Sequence, residues 1–237
     1  CSFTAGTSVT LTATPNASST FTGWSGACSG TGTCTVTMTA ARNVTATFAI
    51  RTFTISASAG ANGAIAPSGA VSVNYGATRA FTITPGAGYH VADVLVDGSS
   101  VGAVASYSFT NVLAGHSISA TFAVNTYTVT PSAGANGTIS PSVPQTVNQN
   151  ATTSFTVTPN SGYAIASVNG CGGALNGTTY TTGPATANCT VTASFTASAS
   201  NTLTVNRSGG GSVVSLPAGI NCGQICSAIK RVYVPEA

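Results

Sequence analysis

Charge is what this sequence has least of. Among 237 residues there are six basic and three acidic side chains, 4% of the chain, against about 25% in a typical soluble domain. The acids are Asp93, Asp97 and Glu236, and the imidazoles are His90 and His116. Acid–base and nucleophilic catalysis draw on converging groups of these kinds, and metal sites on several carboxylates, imidazoles or free thiolates. Their scarcity, with no nucleophile elbow in the chain, leads us to expect no enzyme, no catalytic residue, no metal and no cofactor. His90 and Asp93 fall on opposite faces of one predicted strand, and Asp97 before Gly98 reads as a turn residue. Basic residues are equally sparse: of Arg42, Arg51, Arg79, Arg207, Lys230 and Arg231 only the last two are adjacent, which does not make the multi-phosphate footprint of a nucleic-acid binder. Apolar runs never reach the roughly 18 residues of a membrane span.

What is present in quantity is small, apolar and hydroxylic. The chain is 43% apolar, so it should fold, since disorder goes with high charge and low hydrophobicity. Solubility has to come from Thr, Ser, Asn and the backbone. A five-residue strand ending is written three times, as Val44-Thr45-Ala46-Thr47-Phe48, Ile118-Ser119-Ala120-Thr121-Phe122 and Val191-Thr192-Ala193-Ser194-Phe195. The copies stand 74 and 73 residues apart (44 to 118, 118 to 191). A fixed period of this size marks a repeat protein, a string of similar small folds.

Taken in order, residues 1–50 alternate Val9, Leu11 and Ala13 with threonines, and the same period of two recurs at Val36 and Met38 and at Val44, Ala46 and Phe48, the pattern of half-buried strands. Pro15, Pro85 and Pro159 follow corresponding strands and mark their ends, because proline has no amide proton for the ladder. Residues 51–125 and 126–197 each open with an alternating strand that runs into Gly-Ala-Asn-Gly, at 60–63 and 134–137; Asn-Gly is a hairpin signal. The scheme begins again in residues 198–237, with Leu203-Thr204-Val205, a glycine turn at 208–212, Val213 and Ile220, and then stops. Residues 1–50 lack an opening strand and glycine turn, which are the parts that 198–237 contains. All-β repeats of about 73 residues are therefore predicted, two complete and one divided between the ends.

Several stretches resemble a known family. Gly6-Thr7-Ser8-Val9-Thr10-Leu11-Thr12-Ala13-Thr14-Pro15, Phe21-Thr22-Gly23-Trp24-Ser25-Gly26-Ala27-Cys28 and the closing strand at 44–48 are similar to divergent bacterial repeats related to the internalin B-repeat. Asn74-Tyr75-Gly76-Ala77, Phe81-Thr82-Ile83-Thr84-Pro85 and Val94-Leu95-Val96-Asp97-Gly98 resemble its cysteine-free variety. The resemblance implies small β-rich, β-grasp-like units, found in tandem in exported bacterial proteins as stalks, adhesins or surface scaffolds, with no catalysis of their own. It also implies an extracellular or cell-surface location.

Seven cysteines beside one lysine and three acids fit an oxidising compartment. Cys28 and Cys34 flank a glycine-rich loop and are expected to staple a hairpin; Cys171 and Cys189 are expected to bridge at the same place in the third repeat. Cys222 and Cys226 have spacing that zinc could use but no matching pair nearby, and a disulfide, local or between chains, is the expected state. Cys1 is left over, which points to an intermolecular bond, a modified amino terminus or an arbitrary boundary. Trp24 is expected in a core, with sugar stacking as the alternative, and seven Asn-X-Ser/Thr sequons are a number that this much Asn and Thr generates by chance.

Unpaired strand edges recruit strands from other chains. The expectation is that Leu203, Val205, Val213, Ile220, Cys222 and Cys226 of one subunit complete residues 1–50 of the next, with Cys1 at the joint, building an extracellular, pilus-like filament by strand complementation. Its partners would be copies of itself. The competing expectation is a binding module, the stalk of an adhesin that meets glycans or a host surface.

Overall fold

The computed structural model describes residues 1–199, which are all-β, with no helix among them. The chain divides into two compact units, Cys1–Asn125 and the residues from Thr126 onward.

The first unit holds two repeats. Residues 1–50 form β1 (Ser8–Leu11), β2 (Ser19–Gly26), β3 (Cys34–Thr37) and β4 (Val44–Ile50). They pair as two separate ribbons, β1 with β3 and β2 with β4, both antiparallel. Residues 51–125 make a full sandwich from β5 (Thr52–Ala59), β6 (Gly63–Ala66), β7 (Gly69–Asn74), β8 (Arg79–Pro85), β9 (Tyr89–Val96), β10 (Ser99–Ser100), β11 (Ser106–Phe109) and β12 (His116–Val124). One layer runs β10-β9-β12-β5-β7 and the other β11-β8-β6. The central pair, β12 with β5, is parallel. That parallel pair is the grasp-like feature; what packs over it is a second sheet.

The alternation read from the sequence is the cause of the layering. Ile55, Ala57, Val71, Val73, Val94 and Ile118 point inward from one sheet to meet Ile65, Phe81, Ile83 and Phe109 of the other, while the residues between them are mostly Ser and Thr facing water. Thr is β-branched and fits a strand, and its hydroxyl does on these outer faces what charge does elsewhere. Thr10 and Thr35 meet across strands at 3.2 Å, as do Ser154 with Thr181 at 2.9 Å and Ser167 with Ser194 at 2.7 Å. Cross-strand pairs of this kind contribute roughly 0.2–1 kcal/mol each.

The second compact unit repeats the plan with β13 (Thr126–Ala133), β14 (Gly137–Ser140), β15 (Gln145–Asn148), β16 (Ser154–Pro159), β17 (Tyr163–Asn169), β18 (Ala174–Asn176), β19 (Thr179–Thr181) and β20 (Cys189–Ala197). Its layers run β15-β13-β20-β17 and β14-β16-β19-β18, again with a parallel central pair, β13 with β20. The core gathers Val129, Ile139, Val147, Phe155, Val157, Tyr180 and Val191. In each of the three repeats the strand opposite the closing strand carries a bulge at the same place, at Thr22, Ala92 and Ala166. No helix among the described residues is long and apolar enough to cross a membrane.

Two expectations are corrected here. The Asn-Gly turns do not make hairpins: β5 and β6, like β13 and β14, lie in different sheets, so Asn62 (φ 69°) and Asn136 (φ 73°) turn the chain through a corner between layers. The Cys28–Cys34 bridge likewise does not staple a hairpin, because Cys28 follows β2 while Cys34 opens β3, and those strands belong to different ribbons. It ties the two layers of the first repeat together.

Candidate functional site

Strand register makes the three repeats comparable residue by residue. Val44, Ile118 and Val191 occupy one position of the closing strand, Ala46, Ala120 and Ala193 the next inward position, and Phe48, Phe122 and Phe195 the last. In the complete repeats the first two positions are sealed: Ile118 and Ala120 are each 1% exposed, Val191 and Ala193 are 0%. In the first repeat Val44 and Ala46 are half-buried, and Phe48 is 44% exposed. The sequence is nearly the same; the surroundings are not.

What differs is the neighbour. On its far side β12 has β5, and β20 has β13, in parallel; β4 pairs only with β2 among the described residues. In the opposite layer β8 lies between β11 and β6, whereas β1 pairs, among the described residues, only with β3. Among the described residues, no strand stands beside β4 and β1 at the places that β5 and β6 fill in the second repeat. Phe21 contacts Trp24 edge-on at 5.1 Å between centroids and Phe48 at 5.4 Å, and Leu11 and Val9 of β1 are half-buried.

Trp24 corresponds to Val94 and Val168, which are buried. Trp24 stands at that core position and is half-buried; among the described residues no strand lies where β5 and β6 lie in the second repeat. Its indole N–H donates to the Gly32 carbonyl at 2.7 Å, which holds the ring against the cysteine loop. Unpaired sheet edges are commonly blunted by charge, and β4 carries none.

Among the described residues the cysteines form two bridges. Cys28–Cys34 spans 5.7 Å between Cα atoms and Cys171–Cys189 spans 5.5 Å. They are not at equivalent places, contrary to expectation. Cys34 pairs with Leu11 where Tyr180 pairs with Phe155, so it takes the position of a core tyrosine. Cys189 opens the closing strand opposite Val129, and its bridge links β20 to the end of its neighbour β17. Cys1 is exposed and free. Leu203, Val205, Val213, Ile220, Cys222 and Cys226 lie outside the described residues.

One polar arrangement escaped the sequence reading. Asp97, at φ 49° in the β9–β10 turn, accepts hydrogen bonds from the Ser117 backbone N–H and from Nδ1 of His116, each at 2.7 Å. The His116 hydrogen bond is the main reason its carboxyl sits below the ordinary value of 3.8. Nineteen residues separate the pair, and only the β9–β12 register, Val96 opposite Ile118, reveals that they meet. Asp93 faces elsewhere, accepting from Ser100 Oγ at 2.6 Å, while His90 Nδ1 lies 3.0 Å from Asn125 Oδ1. Among the described residues no three His, Cys, Asp or Glu side chains converge as metal ligands would.

No curated protein and no solved structure matches this chain. A family model, the divergent InlB B-repeat domain, matches it three times in succession, over residues 2–52, 53–126 and 127–199. These are domains typical of the surface and repeat modules of bacterial proteins. Most of the sequence lies within those matches, and the chain therefore belongs to the divergent InlB B-repeat family.

Proposed function

We propose that this chain is a non-enzymatic structural module of the bacterial cell surface, and that its first repeat is an acceptor completed by strands of another copy. The observation that carries the proposal is the closing strand, sealed twice between two neighbours and once, among the described residues, beside one. Burying a Val, Leu or Phe side chain fully contributes about 1.5–3 kcal/mol, so covering Phe48, Trp24 and Leu11 offers a driving force that backbone pairing along β4 and β1 then aligns. Such pairing is strand addition to a sheet edge.

The donor sequence lies in residues 202–226, where the opening-strand pattern recurs. Head and tail are different surfaces, so repetition of the contact makes an open filament unless the rotation closes a ring. Cys1, free and exposed, precedes β1 in the acceptor repeat, and a bond from it to Cys222 or Cys226 of the donor would add a covalent lock in an oxidising surface environment.

Electron microscopy and sedimentation of the whole chain, beside the same chain cut after residue 201, test this reading. Fibres or multimers are expected from the first and monomers from the second. Fibres of equal length from both would remove the tail from the mechanism, and saturable sugar binding by a monomer would favour an adhesin-type binding module.

A further inference from the structure

The strands that open and close a complete repeat are neighbours. β5 and β12 run parallel, paired from Ile55 opposite His116 to Ala59 opposite Ala120, and β13 and β20 run parallel from Val129 opposite Cys189 to Ala133 opposite Ala193. The same bond extends each ladder by a step: the Gly60 N–H donates to the Ala120 carbonyl and the Gly134 N–H to the Ala193 carbonyl, both at 2.9 Å. Both partners are interior strands, since the orders β10-β9-β12-β5-β7 and β15-β13-β20-β17 put a further strand on the other side of each. Ile118 and Ala120 of β12, like Val191 and Ala193 of β20, are buried, so the inner face of the ladder is dry.

Tension along the backbone reaches a repeat through these strands. One residue, Arg51, separates β4 from β5, and one residue, Asn125, separates β12 from β13. Load therefore enters the second repeat at Thr52, the first residue of β5, and leaves at Val124, the last of β12. Because the strands are parallel, those are opposite ends of the ladder, and tension slides one strand along the other. The bonds of a parallel ladder are evenly spaced and individually modest; in this geometry all of them are loaded together and none gives before the rest. An antiparallel pair pulled from its open end loses its bonds one by one. We infer that each complete repeat is a tension clamp, and that bearing mechanical load along the backbone is a further function of the chain. This goes beyond the structural-module reading and does not depend on strand complementation between copies.

The direction of pull provides the test. β9 and β12 are antiparallel and meet at one end with Tyr89 opposite Val124, so a pull from Ala87 to residue 125 peels that ladder open. Ala87 is exposed and lies between β8 and β9, where an unnatural side chain can carry a handle that leaves the cysteines alone. The whole chain is stretched by single-molecule force spectroscopy, once by its two ends and once from position 87 to its last residue. In the second attachment the third repeat is still stretched between its own ends and serves as the reference within each trace. Steps are assigned by length, at about 3.6 Å per residue, because the Cys171–Cys189 bridge withholds 18 residues from the third repeat until a reductant restores them. End to end, the second repeat should resist as the third does. From Ala87 it should yield at about one third of that force or less, since forced unfolding is governed by the unfolding barrier and not by equilibrium stability. Denaturant unfolding with and without the handle should coincide, which leaves direction as the only difference. The same comparison from Ser161, exposed at the corresponding place before Tyr163 opposite Ala197, made in reductant, repeats the test on the third repeat with an independent handle. Equal force in both directions overturns the clamp, because the parallel ladder then bears no more than an unzipping pair.

Discussion

The tip of the Phe122 ring and Gly63 occupy one space between them: the ring stands where a side chain on the glycine would be. This contact explains why a strong turn dipeptide ends in a residue that is not itself at positive φ. Asn62 takes the left-handed conformation at φ 69°, and Gly63 is glycine because of its neighbour, not its backbone. Replacement of Gly63 by valine should therefore destabilise the second repeat by about 1–3 kcal/mol, the usual cost of overpacking. Phe122→Ala alone should cost about 3–5 kcal/mol through the cavity it leaves. The double variant should cost less than the sum, because each change relieves the fault of the other. Denaturant unfolding of the four proteins checks this, and strict additivity would show that the two residues do not share the site.

Much of this fold was legible because the sequence repeats its errors as well as its rules. Alternation gave the strands, prolines gave their ends at Pro85 and Pro159, and the three copies of the closing strand gave the period. The assignment of strands to layers was not legible. Asn62-Gly63 has the composition of a hairpin turn, and nothing local says that β5 will find β12 and β7 while β6 crosses to β8; that is decided by side chains 20 to 60 residues away. The same blindness made Cys28 and Cys34 look like a hairpin staple when they join two ribbons. At the candidate site, the shorter pattern of residues 1–50 was readable from the sequence, but the exposure of Phe48 at the position where Phe122 and Phe195 are half-buried required the register.

The disulfides should divide the repeats by their sensitivity to reduction. The bridges close loops with separations of 6 and 18 residues, which in the chain-entropy model stabilise by about 2 and about 3 kcal/mol. Residues 51–125 contain no cysteine and rely on aromatic packing instead, with Phe81, Tyr107 and Phe109 in edge-on contact. Amide hydrogen exchange with and without a reducing agent should show faster opening in residues 1–50 and 126–197 and unchanged protection of Ile55, Val94 and Ile118. Equal loss in all three repeats would mean that they unfold as one.

Arg51 should matter at the joint between the first two repeats. It is the one residue between β4 and β5; its backbone N–H donates to the Ser18 carbonyl, and its guanidinium donates to the Ala17 carbonyl at 3.1 Å while lying 5.4 Å over the Phe53 ring. An exposed cation–ring contact contributes about 0.5–1 kcal/mol. Arg51→Ala should therefore cost on the order of 1 kcal/mol and speed exchange at Ser18 and Ser19, with Arg51→Lys restoring part of it. The backbone bond survives either change, so complete loss of protection there would assign the joint to more than this side chain.

Acid should act on the second repeat through Asp97. Its carboxyl is held below the ordinary 3.8 chiefly by the hydrogen bond with His116, and then by the Ser117 backbone N–H. A carboxylate whose folded value is depressed contributes stability that is fully present above the unfolded value and is lost as the pH falls through the folded one. Asp97→Asn keeps a residue that tolerates the positive φ of this turn while removing the charge. The unaltered chain should therefore be more stable than the variant at about pH 5 and should converge on it well below pH 3.8, as the carboxyl of the unaltered chain takes up its proton. Both groups face solvent, with side chains 29% and 49% exposed, so salt screens the pair and the difference should be modest. Urea midpoints of the two proteins across that range measure it. A gap that stays constant down to the lowest pH would mean that the turn geometry, and not the carboxylate, is what Asp97 supplies.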